Sequence, residues 1–281
     1  MSNLSSLDDT ERTAQPMRLS PRLRNRLQVW SLRATRQIAL RLGNEFQFYY
    51  VSEYPKSGGT WVAQMLADYL QVPFPQRYCL PIAHEAVLHN HWRYDPRLAP
   101  RTVYIMRDGR DVCVSAFFHL RRVAGKPTLT TEQVRNVMPD FVDWWATRPM
   151  GGAGVTWGRH IVEWTEQKPA ACLLRYKYVK EYPRVEILNA AAHVTDRESD
   201  NAKAAATALK FSFERQTGRD PGDEDQTSPL RKGIVGDWRN YFNYEAAKRF
   251  DRHFGATLVR LAYEKDHEWV WDTIDQGGEQ E

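Results

Sequence analysis

Phe46-Gln47-Phe48-Tyr49-Tyr50-Val51-Ser52-Glu53 is an aromatic and β-branched run of the kind that fills a buried strand. It passes directly into Tyr54-Pro55-Lys56-Ser57-Gly58-Gly59-Thr60 and then into the apolar-periodic stretch Trp61 to Leu70. The order is strand, loop, helix. Such a turn gathers consecutive backbone N–H groups, the positive end of a helix dipole, a Lys ammonium and two hydroxyls around one point, where an anion belongs. Gly58 and Gly59 let a phosphate approach the backbone, and Lys56 can supply charge to a leaving oxygen. Glycines also simply end strands, so the loop alone does not settle the matter.

A second unit of the same kind follows. Thr102 to Met106 reads as a strand, Arg107 to Arg110 as a turn and Asp111 to Leu120 as a helix, and Leu173 to Tyr178 reads as a further strand. Strands alternating with helices imply an α/β fold, a single domain whose mostly parallel central sheet is flanked by helices. The expected layout is a mobile tail over 1–17, a basic amphipathic segment over 18–45, the main domain over 46–270 and a tail over 271–281. Pro221 to Pro229 reads as a surface loop that leads into the basic cluster Arg231-Lys232-Gly233.

The bulk properties exclude several classes. A chain of 281 residues with 42% hydrophobic residues and 10 Trp has ample material for a packed core. A formal net charge of +4 is too small to demand nucleic acid, though it suits an anionic ligand. Cys79, Cys113 and Cys172 are odd in number and far apart, which argues against a disulfide framework or a zinc site. With no apolar run beyond Ala170–Leu174 and a polar start, neither a membrane span nor a secretory signal is expected, and the default address is the cytoplasm. Between Leu19 and Leu42, Leu23, Leu27, Trp30, Ile38 and Leu42 recur at roughly helical spacing among six arginines. This segment could make weak peripheral contact with an anionic membrane; the expectation is that its apolar stripe packs on the host domain.

The spacing around Lys56 does not fit the usual nucleotide triphosphatase loop, in which Gly-Lys closes the glycine-rich run. Tyr54-Pro55-Lys56-Ser57-Gly58-Gly59-Thr60-Trp61 instead resembles the 5′-phosphosulfate loop of the soluble, cytosolic-type sulfotransferases that use 3′-phosphoadenosine 5′-phosphosulfate. Val103 to Ser115, with Arg107 at the strand end and Ser115 eight residues later, resembles that family's 3′-phosphate loop. Trp157 to Trp164, Leu174-Arg175-Tyr176 and Arg231 to Phe242 resemble later motifs in the family's order. The likeness runs from about Val51 to Phe242 and suggests a bacterial-like member. Gly59 departs from it, standing where the family commonly has a second Thr, and Lys177 and Tyr178 replace an acidic pair.

The resemblance implies in-line transfer of a sulfuryl group from that donor to a hydroxyl or amine of a small-molecule acceptor, with 3′,5′-bisphosphoadenosine as the other product and no metal required. It places Lys56, Ser57, Gly58, Gly59, Thr60 and Trp61 on the 5′ side of the donor, and Arg107, Ser115, Arg231, Lys232 and Gly233 on its 3′-phosphate. Trp61, Tyr176 and Phe213 would hold the adenine. In Leu88-His89-Asn90-His91-Trp92, strand alternation points both histidines to one face. His91 aligns with the family's catalytic base and His89 with its lysine, whereas His160, among Trp157, Ile161 and Trp164, reads as structural. A P-loop-type kinase and a catalytically silent nucleotide- or membrane-binding protein are the competing readings.

Overall fold

The computed structural model describes residues 20–43, 45–75, 85–166 and 170–273. The expected 1–17 tail and Cys79 lie outside them. In chain order the structure runs α1 (Pro21–Leu42), β1 (Gln47–Glu53), α2 (Gly59–Leu70), β2 (Glu85–Asn90), β3 (Thr102–Met106), α3 (Gly109–Val123), α4 (Thr131–Ala146) and α5 (Trp157–Glu166). It continues with β4 (Cys172–Arg175), α6 (Tyr176–Glu181), α7 (Pro183–Val194), α8 (Asn201–Lys210), α9 (Phe213–Thr217) and α10 (Tyr244–Arg260).

The four strands form one parallel sheet in the order β2-β1-β3-β4. Alternation along β1 sorts the core into two layers. Tyr49 and Val51 face α2, α7 and α8, meeting Val62, Met65, Ile187 and Ala190. Phe48 and Tyr50 face the other way, toward Ala39 of α1 and Leu98. On that second face, Tyr104 and Met106 of β3 join a larger aromatic core that holds Trp145, Trp157, Trp164, Phe250 and Phe254. From β1 the chain moves to one side for β2 and then crosses to the other side for β3. That switch opens a crevice at the carboxyl ends of β1 and β3, where ligands of open parallel sheets bind.

Three boundaries and one packed face differ from the sequence expectation. α3 begins two residues early, at Gly109, because Asp108 caps it by accepting from the Arg110 N–H at 2.9 Å. The strand expected over Leu173–Tyr178 ends at Arg175, and Tyr176 opens α6. β3, its pairing partner, ends at Met106 opposite Arg175, so the β-favouring Tyr176 and Tyr178 have no ladder to join. At the C-terminus the 271–281 tail begins too early: a 3₁₀ turn spans Glu268–Thr273, with Thr273 buried and Trp271 stacked on Tyr244 at 5.2 Å.

The packed face is that of α1. The helix is present, but Ser31, Thr35 and Ala39, spaced i, i+4, i+8, are what it buries against the domain. Small residues let the helix backbone sit close to the sheet. Leu23, Leu27 and Trp30 stay 45%, 40% and 60% exposed. Ile38 is partly buried against the Phe48–Tyr50 cluster, and Leu42 remains exposed.

Candidate active site

β1 ends on Glu53, a carboxylate only 3% exposed. The chain then turns through Tyr54–Gly58, closed by the Ser57 N–H donating to the Tyr54 carbonyl at 3.1 Å. Lys56 (φ 81°) and Gly58 (φ 102°) take left-handed backbone conformations, so α2 starts abruptly above the strand end. Two close approaches demand glycine: a Cβ on Gly58 would lie 2.7 Å from the Tyr176 ring, and one on Gly59 would lie 2.7 Å from the Glu53 carboxyl carbon. The Gly59 N–H donates to Glu53 Oε2 at 2.5 Å. The departure from the family's second Thr therefore has a local cause: the Glu53 carboxylate occupies the space a side chain at 59 needs.

The parallel register places Val51 opposite His89 and Ser52 opposite Asn90, so His89 and His91 arrive beside the end of β1. His91 lies one residue past the strand, and the two imidazoles meet edge to face with centroids 4.9 Å apart. His89 Nε2 is 3.1 Å from Glu53 Oε1, and His91 Nδ1 is 3.2 Å from the Glu53 carbonyl oxygen. A carbonyl can only accept, so Nδ1 of His91 carries the proton and the neutral ring keeps its lone pair on Nε2. Burial pushes the His91 pKa down to about 4, with the nearby His89 and Lys56 acting in the same direction and Glu53 against them. Burial alone would raise the Glu53 carboxyl, but His89, His91 and the Gly59 N–H outweigh it and hold the group below the usual range.

His160 is fully buried. Its Nδ1 is 3.0 Å from the Tyr104 hydroxyl, and its Nε2 lies 3.3 Å and 3.1 Å from the carbonyl oxygens of His91 and Trp92. It braces the backbone that carries His91. The ligand-capable atoms of Glu53, His89 and His91 all lie within 4.8 Å of one another, a two-histidine, one-carboxylate set of a type zinc accepts. No such grouping was apparent in the linear sequence.

The second loop docks on the first. Arg107 Nη1 donates to the Lys56 carbonyl at 3.1 Å, its guanidinium stacks 4.3 Å over the Tyr176 ring, and its Nε is buried with no hydrogen-bond partner. Asp111 on α3 accepts from the N–H groups of Gly236 and Trp238 at 2.9 Å and 3.1 Å, stapling the 231–238 segment over the crevice. Lys56, Ser115 and Arg231 thereby share one cleft with His119 and Arg122. The cleft is strongly cationic. Burial lowers the Lys56 pKa, helped by Arg107 and Arg122 and opposed by Glu53. Burial also takes His119 down to about 4, with Lys56 and Arg122 adding to the shift.

Other expected residues gather in part. Trp61 meets Tyr176 edge to face at 6.1 Å and donates through Nε1 to the Phe211 carbonyl at 2.7 Å. Phe213 lies against Gly233, where a Cβ would sit 2.5 Å from its ring. The Lys180 ammonium is 5.7 Å from the Trp61 ring and 5.8 Å from that of Phe213. Arg231 and Lys232 diverge from the simple expectation: Arg231 pairs with Glu224 and Asp237, and Lys232 Nζ is 2.9 Å from Asp237. Ser57 is buried and Thr60 exposed at the start of α2. Glu53, Glu224, Asp237, His119 and Arg122 went unnoticed in the sequence; Glu53 carried a signal, being a charged residue at the end of a buried strand.

The profile of the sulfotransferase domain matches residues 89–262, more than half of the chain. The chain belongs to the sulfotransferase family and is a sulfotransferase. It is 24% identical over 255 residues to human (Homo sapiens) sulfotransferase 1E1, covering 73% of this chain and 81% of that one. To the rabbit (Oryctolagus cuniculus) amine sulfotransferase it is 26% identical, with 81% and 84% covered. Mouse sulfotransferase SULT7A1 complexed with PAP shares the fold at a TM-score of 0.56 and 20% identity, over 80% of this chain and 87% of that one. Retinol dehydratase in a complex with retinol and PAP does so at 0.57 and 17%, over 80% and 86%. These relatives support no bacterial-like assignment, and the kinase reading gives way to the family.

The Glu53–Gly59 contact is testable by a double-mutant cycle. Gly59→Ser should destabilise the protein by about 1–3 kcal/mol, the usual cost of overpacking. In a Glu53→Ala background the same substitution should cost less than half as much, measured by urea unfolding. Equal costs in both backgrounds would mean that Glu53 is not what excludes a side chain.

Proposed function

We propose that the enzyme transfers the sulfuryl group of 3′-phosphoadenosine 5′-phosphosulfate to a hydroxyl or amine of a small-molecule acceptor, with His91 as the base. The observation that carries this reading is the fixed tautomer of His91. Its Nδ1 proton is committed to the Glu53 carbonyl, leaving a neutral Nε2 beside the Lys56 loop. The donor's fit rests on a further feature: the buried, unpartnered Nε of Arg107, whose guanidinium docks on the Lys56 carbonyl. We assign residues 46–270, extended by the packed turn that runs to Thr273, as the catalytic domain. A cytoplasmic address accords with the zebrafish (Danio rerio) relative named cytosolic sulfotransferase 1 and with the lack, among the described residues, of a helix able to cross a membrane.

The acceptor hydroxyl gives its proton to His91 Nε2 as its oxygen bonds to sulfur. In the same step the bond from sulfur to the bridging phosphate oxygen breaks, and that oxygen keeps the electron pair. Lys56, with the Thr60 and Trp61 N–H groups in the first turn of α2, stabilises the charge that grows there. Ser57 and Thr60 bind the 5′-phosphate, and Arg107, Ser115, Arg231, Lys232 and the Gly233 backbone bind the 3′-phosphate. Trp61, Tyr176 and Phe213 hold the adenine. Gly151, where a Cβ would lie 2.8 Å from Pro55 and 3.7 Å from His91, borders the acceptor side.

His91→Ala should lower turnover by about 10²–10⁴, with affinity for 3′,5′-bisphosphoadenosine retained, and His89→Ala should be milder. A dead His89→Ala enzyme beside an active His91→Ala one, in a radiolabelled-donor assay, would reverse the assignment.

Recognition of the 3′-phosphate gives a second test. Hydrogen bonds to charged groups contribute about 1.5–3 kcal/mol each, so 3′,5′-bisphosphoadenosine should bind at least ~100-fold more tightly than adenosine 5′-phosphate. Arg107→Ala should erase most of that preference in calorimetric titration. Equal affinities in the parent enzyme would show that the second loop reads something else.

A further inference from the structure

Every side chain described between Arg22 and Trp30 of α1 is exposed, so this half of the helix stands clear of the domain. Leu23, Leu27 and Trp30, spaced i, i+4, i+7, form one apolar stripe. Arg22, Arg26 and Arg33 run along one flank of it, with Arg24 on the other. From Pro21 to Leu42 the helix carries six arginines and no Asp or Glu. The face that packs, Ser31, Thr35 and Ala39, is turned roughly a third of a turn from the stripe. Docking on the domain therefore leaves the stripe available. The packed half is anchored by Arg36, which pairs with Asp95 at 3.8 Å and whose guanidinium lies 5.3 Å from the Trp92 ring.

We propose that α1 docks the protein onto an anionic lipid surface. Leu23, Leu27 and Trp30 insert at the level of the headgroups, and the flanking arginines lie on the phosphates. An apolar stripe edged by arginines, with an indole at its end, matches the chemistry of a helix lying in the interface plane. Charge complementarity selects the occupant. A second copy of this chain would press two six-arginine helices together with no acidic residue on either, whereas an anionic surface neutralises them. Because α1 packs beside Trp92, next to His91, docking would hold the active-site end of β2 near the lipid surface.

The test is co-sedimentation of the full-length protein with vesicles of phosphatidylcholine alone or with about a third phosphatidylglycerol. Binding should be at least about tenfold tighter to the anionic vesicles. Replacing Arg22, Arg24 and Arg26 together with Gln should weaken it about a hundredfold. Leu27→Glu with Trp30→Glu should abolish it. Both variants should keep the parent's affinity for 3′,5′-bisphosphoadenosine. Equal binding to the two vesicle types, no binding to either, or parental binding by the triple-Gln variant overturns the proposal, as does a lipid-free dimer that Trp30→Glu dissociates. Should a variant lose nucleotide affinity, the parent carries the test: raising salt to about 0.5 M should release it from anionic vesicles, and salt-insensitive binding overturns the proposal.

Discussion

The site is organised around a buried carboxylate. An unpaired ion in that position would cost several kcal/mol, so Glu53 is tolerable only with its partners in place. One oxygen takes the Gly59 N–H and the other meets His89, while the carbonyl of the same residue holds His91. A single residue at the end of β1 thus ties the anion loop, the start of α2 and the histidine pair into one unit. Its demands propagate outward: position 59 has no room for a side chain, and the His91 tautomer is set.

The other side of the crevice uses paired charge differently. Arg231 and Lys232 share Asp237, and Arg231 also meets Glu224, so these cations are held in place by carboxylates. Asp111 fixes the same segment by its backbone. Pre-organised cations of this kind cost little further ordering when an anion arrives, which is what electrostatic stabilisation of a transferring group requires. Arg107 also faces a carboxylate, Asp111 at 3.7 Å, but it spends another nitrogen on the Lys56 carbonyl and leaves its Nε unpaired.

Much of this was legible in the linear sequence because it is local. The strand–loop–helix at Lys56, the β3 strand and the histidine pair follow from hydrophobic runs, glycines and alternation within a few residues. Tyr176 is of a type that favours a strand, and only the end of the partner strand β3 shows that the ladder stops before it. The helical pattern of α1 is legible in its sequence, but its packed face is not, since Ser31, Thr35 and Ala39 carry little hydrophobic signal. Glu53, Glu224 and Asp237 are not legible for a related reason: their contacts arise from residues brought together by the fold, and a lone acidic residue does not announce its partner.

The account rests most directly on the protonation state of His91. Imidazole ¹⁵N spectra of the nucleotide-free enzyme, with His91 assigned by loss of its signals in His91→Ala, test it. The geometry requires a neutral ring protonated on Nδ1 throughout the neutral range, with protonation of Nε2 delayed until the pH approaches about 4. A His91 that titrates near the ordinary histidine value, or that carries its neutral-state proton on Nε2, would contradict it.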